Sequence, residues 1–246
     1  MIADYLRLSV RNLTKRKTRT YLTMIGIFIG IATVVSLIGL GEGLRNAISA
    51  QFGFLGSDVL SVQASGLDFA GPPGSGVIDP LTEDLTDKIE NLNGVELAVD
   101  RYIESGTLEF NDRQSIIFAW NVPEGENRKP FEKMINLGVQ EGRLLKDGDT
   151  FKAIIGSGLA EGDEFEKEIQ IGNRISFKGK TLEVVGIIEK KGSFIFDTAI
   201  VLNENILLNN FRDNDNVDTI AVKVKDVDNI DNVQENIEKL LRKRET

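Results

Sequence analysis

A run of twenty uncharged, mostly apolar residues, 21–40, constrains this chain more than any other feature. As an α-helix it would span about 30 Å, which is the thickness of the hydrocarbon core of a bilayer. Backbone polar groups find no water inside lipid, so they must pair within the segment. The sequence therefore predicts one transmembrane helix over residues 21–40, with no ionisable side chain in it to serve an ion path.

The residues before this segment are basic and predict its orientation. Residues 1–46 carry seven Lys or Arg residues against two Asp or Glu residues, whereas the rest of the chain carries 22 against 36. Because basic residues stay on the cytoplasmic side, we expect a single-pass protein of the cell membrane with a cytoplasmic N-terminus and an extracytoplasmic main domain. Residues 1–20 form a basic amphipathic leader suited to an anionic headgroup layer. The orienting cations are Arg11, Lys15, Arg16, Lys17 and Arg19.

Two other interpretations of the apolar segment fit less well. A cleaved signal peptide would use the small residues around 47–49 as its cleavage site, but the apolar region of such a peptide is only about 7–15 residues long. A buried helix of a soluble protein would be polar on one side, whereas this segment is apolar all round. We therefore expect a retained membrane anchor.

Two features suggest what the predicted helix contacts and how it continues. Gly26 and Gly30 form a GxxxG step, which lets another helix approach closely, although glycine is also simply common in membrane helices. Beyond residue 40, Leu44, Ile48 and Phe52 recur at helical spacing. This pattern predicts a helical stalk over residues 41–56. The stalk residues of interest are Gly41, Glu42, Gly43, Leu44, Ile48 and Phe52.

The remaining residues, about 200 of them, are enough for a domain with its own core, and their patterns predict an α+β fold. A helix is expected from a cap at Asp79, with Pro80 in its first turn. A hairpin is expected over residues 174–188, with its turn at Lys178-Gly179-Lys180. An amphipathic strand is expected over 217–225 and a final helix over 228–244. Over residues 124–196 the predicted strands are short and glycine is frequent. This difference divides the domain into an α/β part, 57–123 and 197–246, and an inserted β-rich part, 124–196.

Composition excludes several classes of function. The chain has no histidine and no cysteine, which excludes the usual zinc and iron–sulfur sites and every catalytic triad that needs a histidine base. Its acidic main domain is a poor partner for nucleic acid. We expect no catalytic residue, cofactor or metal, and no enzymatic activity. Composition leaves one catalytic arrangement open, a pair of carboxylates.

Two local motifs resemble binding sites but lack a required glycine. Gly179-Lys180-Thr181 is similar to the end of a phosphate-binding loop, yet Arg174 stands where that motif needs glycine, so the hairpin is preferred. The acidic residues 213–218 suggest a calcium loop, yet Asp218 occupies the position of its required glycine. We expect a solvated turn there.

Several stretches together resemble the MacB-type permeases of ABC transporters, the MacB/FtsX/LolC group. The first stretch covers residues 25–62 and the resemblance then extends over essentially the whole chain. Its motifs are Leu40-Gly41-Glu42-Gly43, Leu55-Gly56-Ser57-Asp58, Glu141-Gly142-Arg143-Leu144, residues 153–159, Ile171-Gly172-Asn173 and residues 182–187.

This resemblance implies an architecture and a function. Members of the group have a porter-like α/β subdomain that carries an inserted small β-rich subdomain. They work as dimers with a separate cytoplasmic ATP-binding subunit, and they transmit motion from that ATPase through the membrane helices to the exported domain. The implied partners are thus the membrane, a second copy or the remaining permease helices, and the ATPase, with no nucleic acid.

The chain departs from the group in one respect. The group continues into three further membrane helices, so we expect this sequence to be a fragment, a split subunit or a degenerate paralogue. Two other functions stay open at this point. One is a single-pass adaptor or sensor whose exported domain binds a partner protein, and the other is an anchored hydrolase, which the missing histidines disfavour.

Overall fold

A computed structural model of the protein describes residues 17–52, 58–63 and 80–243. The chain divides into two compact units, residues 1–49 and residues 50–246. The first unit is dominated by one long helix, and the second is an α+β domain with two β-sheets.

The long helix, α1, runs without a break over Lys17–Phe52. It covers the predicted span 21–40 and continues through residues 41–52, which supply twelve more residues of the predicted stalk. A helix of 36 residues is about 54 Å long. Within the described residues it is the one helix that is long and apolar enough to cross a membrane, over Lys17–Leu44.

The second unit alternates short helices and strands. The helices are α2 (Glu83–Glu90), α3 (Arg128–Met134), α4 (Ser157–Glu161), α5 (Phe194–Asp197), α6 (Glu204–Phe211) and α7 (Ile230–Arg242). The strands are β1 (Val59–Gln63), β2 (Val95–Arg101), β3 (Ile103–Phe110), β4 (Arg113–Val122), β5 (Val139–Gly142), β6 (Lys152–Ile155), β7 (Arg174–Phe177), β8 (Lys180–Ile188), β9 (Ile200–Asn203) and β10 (Thr219–Val224).

The smaller sheet has three antiparallel strands in the order β1-β10-β2. Its central strand β10 confirms the predicted strand and its apolar face, because Ile220, Val222 and Val224 alternate along it and are all buried. Ala221, on the other face, is also buried and belongs to a second apolar cluster. The first three residues share one apolar cluster with residues of α2 and α7, such as Leu85 and Val233. The two helices therefore provide the apolar cover for one face of this sheet.

The larger sheet has seven strands in the order β5-β8-β6-β9-β4-β3-β7. Strand β7 also pairs with the first half of β8, so six strands close into a ring and β5 adjoins the second half of β8. The β7–β8 pairing confirms the predicted hairpin. Its two turn residues, Lys178 and Gly179, have φ angles of +46° and +78°, which suits a tight hairpin turn.

The predicted start of α2 is wrong. The helix begins at Glu83 after the extended residue Thr82, whereas the predicted cap Asp79 lies outside the described residues. Leu81 forms a β-bridge with Val217 instead of a first helical turn, and its carbonyl accepts a hydrogen bond from the Val217 amide. This contact with a distant segment overrides the local helix signal around Pro80.

Two apolar clusters form the core, and β4 separates them. Ile117 and Ala119 belong to the first cluster, while Trp120 and Val122 belong to the second with Phe131 of α3. The strand pairings run across the predicted subdomain boundaries, since β3 and β9 lie outside residues 124–196 and pair with β7 and β6, which lie inside that range. The division at 124 and 196 stays a prediction.

Candidate functional site

The apolar surface of α1 is the most conspicuous candidate. Its large aliphatic and aromatic side chains are exposed along the whole segment, from Tyr21 at 67% to Leu40 at 70%. A soluble helix buries such side chains against a core, whereas the apolar window of this helix is 0% buried. An apolar environment is therefore required around this helix.

The GxxxG step lies on a smooth part of this surface. A Cβ atom added at Gly26 or Gly30 would meet nothing within 4 Å. Thr23 and Thr33 share this side of the helix at spacings of three and four residues, and their hydroxyls donate to Arg19 O (2.9 Å) and Ile29 O (2.7 Å). Because those hydroxyls are satisfied within the helix, the face offers close approach without exposed polar groups. Helix packing at Gly26 and Gly30 stays a prediction.

The structure describes some of the predicted orienting and stalk residues of this unit and not others. Lys17 and Arg19 lie exposed in the described start of α1, whereas Arg11, Lys15 and Arg16 lie outside the described residues. The predicted stalk residues Gly41, Glu42, Gly43 and Leu44 are exposed on the helix. Ile48 and Phe52 lie in its last turns, where only the backbone is described.

Two glycines from the motifs that resemble the MacB group lie where backbone segments pack closely in the larger sheet. Gly142 and Gly186 lie opposite each other on β5 and β8. A Cβ atom on Gly142 would lie 2.3 Å from Val185 O, and one on Gly186 would lie 2.3 Å from Arg143 O. Gly142 also has a φ of +78°, which glycine adopts without strain. The motifs thus fix a close approach of two backbone segments.

Arg143, the next residue of that motif, holds an acidic loop. Its guanidinium donates to both carboxylate oxygens of Asp149, at 2.6 and 3.1 Å. Lys152 Nζ lies 3.2 Å from the same carboxylate, and the Lys146 amide donates to it at 2.9 Å. The Arg143 hydrogen bonds are the largest cause that holds the pKa of Asp149 far below its usual range. The loop between β5 and β6 is therefore stabilised by the ionised form of Asp149.

Replacement of Asp149 by asparagine should lower the free energy of unfolding by about 2 kcal/mol at pH 7, since it removes a charged acceptor of several hydrogen bonds. The folded pKa of Asp149 lies below the unfolded one, so its contribution is present above about pH 4 and is lost as the pH falls further. The difference between parent and Asp149→Asn should shrink accordingly in urea denaturation below pH 4. The control Asp84→Asn removes an exposed pair with Lys88 and should change stability by about 0.5 kcal/mol at most. A constant difference across this pH range would contradict the assignment.

A second polar group lies where the chain passes between the two sheets. Tyr102 is the single residue between β2 and β3. The side-chain oxygen of Asn121 accepts a hydrogen bond from the Tyr102 amide at 3.0 Å. Its side-chain nitrogen donates to Asp100 O at 3.0 Å and to the Glu204 carboxylate at 2.7 Å. Asn121 is fully buried, so this amide joins three chain segments.

The loop after α6 reaches the same place. Arg212 donates to the Asp218 carboxylate and to Ile103 O, and Asp218 accepts from the Ile103 amide at 2.7 Å. Arg212 also donates to Asn214 Oδ1 (3.1 Å) and Asn216 O (2.8 Å). The prediction of a solvated turn over 213–218 is wrong for Asp218, which is buried. Neutralisation by Arg212 explains why an acidic residue is retained there.

Burial raises the pKa of three carboxyl groups around this junction, Asp100, Glu204 and Asp218. A hydrogen bond opposes this rise in each case. Its donor is Thr86 for Asp100, Asn121 for Glu204 and Arg212 for Asp218. A carboxyl group with a raised folded pKa contributes stability that is present below its unfolded pKa and is lost as the pH rises through the folded value. These three acids therefore act on pH-dependent stability in the direction opposite to Asp149.

Arg101 occupies the second apolar cluster beside this junction. It is buried, it donates to Asn121 O, and its guanidinium carbon lies 4.4 Å from the Phe131 ring centroid and 5.7 Å from that of Trp120. Burial lowers its pKa to about 9. Cation–π contact with two rings compensates part of the cost of burying this charge.

Within residues 17–52, 58–63 and 80–243, no three acidic side chains lie close enough together to hold a metal ion. The sequence motifs did not single out Asn121 or Arg212. Asn121 bonds to Tyr102, 19 positions away, and Arg212 bonds to Ile103, 109 positions away. No spacing rule connects residues so far apart along the chain.

An apolar helix followed by a two-sheet α+β domain defines a membrane-anchored α+β protein. The chain belongs to the family of the MacB-like periplasmic core domain, whose sequence model matches residues 20–240. This finding confirms the resemblance seen in the sequence motifs.

Similar proteins include ABC transporter permeases. An uncharacterized ABC transporter permease of Methanocaldococcus jannaschii is 29% identical over 242 residues, which are 98% of this chain and 59% of that protein. The macrolide export ATP-binding/permease protein MacB of Bdellovibrio bacteriovorus is 26% identical over 250 residues, 98% of this chain and 38% of that protein. The chain thus spans only part of the length of both relatives.

Solved structures share the fold. The periplasmic region of MacB from Actinobacillus actinomycetemcomitans matches with a TM-score of 0.57 and 14% identity, over 78% of this chain and 86% of that one. The extracellular domain of the ABC-type transporter YknZ from Gram-positive bacteria matches with a TM-score of 0.55 and 18% identity, over 76% and 92% of the two chains. These matches confirm the predicted α+β fold class.

Proposed function

We propose that this chain is the permease portion of a MacB-type ABC exporter. Its α+β domain lies outside the cytoplasm and is anchored by α1, whose N-terminus is cytoplasmic. Family membership and permease relatives support this assignment. The basic residues Lys17 and Arg19 at the start of the helix support the orientation.

The chain transmits motion and catalyses no reaction itself. A separate cytoplasmic ATP-binding subunit drives the motion, and the permease acts as a homodimer or together with further permease helices. The observation that carries this proposal is the continuity of α1, which extends about 18 Å beyond residue 40 without a break. An unbroken helix transmits displacement along its axis, because its backbone hydrogen bonds resist bending.

Insertion of two glycines after Ser49 should uncouple this transmission, since glycine weakens a helix by about 1 kcal/mol per residue. The tagged chain is purified from membranes of its host with the associated ATP-hydrolysing subunit and reconstituted into liposomes. We expect the complex to assemble, while ATP-driven transport of a macrolide probe falls to background.

The matched control is an insertion of four alanines at the same site. Four alanines add about one helical turn and keep the helix stiff, so transport should persist. Equal transport by the parent and the two-glycine variant would overturn the proposal. If the chain is instead an adaptor that only binds a partner, the rate of ATP hydrolysis by the complex should be the same with either insertion as in the parent.

A further inference from the structure

The two sheets of the α+β domain are joined at two chain crossings among the described strands. The first crossing is Tyr102, between β2 and β3. The second is the segment between β9 and β10, which contains α6 and the loop that follows it. Whether the sheets move separately depends on how firmly these crossings are held.

Side chains from both sides hold the first crossing. The Tyr102 amide donates to Asn121 Oδ1, and the next amide, that of Ile103, donates to Asp218 Oδ2. The backbone N–H of Asn121 donates to Tyr102 O at 3.3 Å. Two consecutive peptide groups at the crossing are therefore fixed by residues of β4 and of the second crossing.

The second crossing is attached to the first by Arg212. Its side chain is 2% exposed, its guanidinium contacts Asp218 and Ile103 O, and its central carbon lies 5.3 Å from the ring centroid of Tyr102. The Asp218 amide donates to Arg101 O at 3.1 Å. Hydrogen bonds to charged groups that water cannot reach are among the stronger ones in proteins.

We propose that Tyr102, Asn121, Arg212 and Asp218 form a clasp that holds the two sheets in one fixed orientation. In the proposed function, on which this use of the clasp rests, these four are positioning residues for transmission. Strand β1 is the first described strand after α1, and it reaches β2 through the β1-β10-β2 ladder. A displacement of β1 then carries the larger sheet with it instead of being absorbed at the crossings.

A distance measurement between the sheets tests the clasp directly. The chain contains no cysteine, so the pair Glu90→Cys and Ile116→Cys can be spin-labelled selectively in the full chain in detergent micelles. Glu90 is exposed on α2, and Ile116 is 80% exposed on β4. Double electron–electron resonance should give one narrow distance distribution for this parent.

Arg212→Ala should make that distribution about twice as wide or add a second peak, because the sheets would then sample more than one orientation. Asp218→Asn, which keeps the size of the side chain, should act in the same direction. The matched control is Arg113→Ala on β4, which removes an exposed arginine whose guanidinium lies 2.6 Å from the Glu166 carboxylate. This variant should leave the distance distribution unchanged.

A narrow, unshifted distribution for Arg212→Ala and Asp218→Asn, with circular dichroism like that of the parent, would overturn the clasp. If Arg212→Ala does not fold, Arg212→Lys takes its place, since it keeps the charge but loses the multiple donors; an unchanged distribution for it would count equally against the clasp. A widened distribution together with undisturbed transport supports the clasp but contradicts its use in transmission. An unchanged distribution together with uncoupling by the two glycines overturns the clasp and supports the proposed function.

Discussion

Replacement of Arg128 by alanine should lower the free energy of unfolding by about 3 kcal/mol, because it removes a buried charge that satisfies several partners at once. The Arg128 side chain is 8% exposed. It donates to the Asp147 carboxylate at 2.6 Å, to Asn203 Oδ1 at 2.8 Å and to Leu145 O at 3.3 Å. It therefore joins α3 to the end of β9 and to the loop after β5.

The cost of this change comes mainly from the acceptors that it leaves behind. Asn203 is buried, and its side-chain nitrogen already donates to Lys146 O and Asp149 O. Without Arg128 its oxygen has lost its donor, and a buried unsatisfied acceptor costs about 1–3 kcal/mol. Asp147 contributes less to the loss of stability, since its side chain is 56% exposed and water can hydrate its carboxylate.

Urea denaturation of the full chain in detergent micelles, followed by the fluorescence of Trp120, measures this loss. Trp120 is the only tryptophan and is buried in the same cluster as Phe131 of α3. Arg113→Ala is the control and should cost less than about 1 kcal/mol, because its ion pair is exposed. A loss for Arg128→Ala no larger than that of the control would show that the network contributes nothing beyond surface charge.

Replacement of Ile31 by lysine should oppose membrane insertion of α1 by about 3–4 kcal/mol, more than a hundredfold in the insertion equilibrium. Ile31 is 58% exposed, near the middle of the uncharged segment. A lysine there cannot extend its ammonium group to either interface without distorting the bilayer. We expect a large fraction of this variant in the alkaline extract of membranes, whereas the parent stays in the pellet.

The same substitution at the end of the segment is the control. Leu40 is 70% exposed, and a lysine at this position reaches the headgroup layer with its long side chain. Leu40→Lys should therefore remain in the membrane pellet like the parent. Equal retention of Ile31→Lys and Leu40→Lys would contradict the assignment of residues 21–40 as the membrane span.

Features with a local cause could be predicted from the sequence. The β7–β8 hairpin follows from the turn predicted at Lys178-Gly179-Lys180, of which Lys180 begins β8, and the buried face of β10 follows from its period of two. The start of α2 could not be predicted, because the bridge between Leu81 and Val217 joins residues far apart in the chain. The ring of strands in the larger sheet likewise depends on pairings such as Leu108 with Phe177.

The candidate sites divide in the same way. Residues 21–40 establish by composition alone that this helix needs an apolar environment, because they carry no charge and only four hydroxyl side chains, too few for a polar face. Only the tertiary structure assigned the roles of Asn121, Arg128 and Arg212. Tyr102, Asp147 and Ile103, which they contact in that order, lie 19, 19 and 109 positions away, and a hydrogen bond depends on positions in space that chain spacing does not fix.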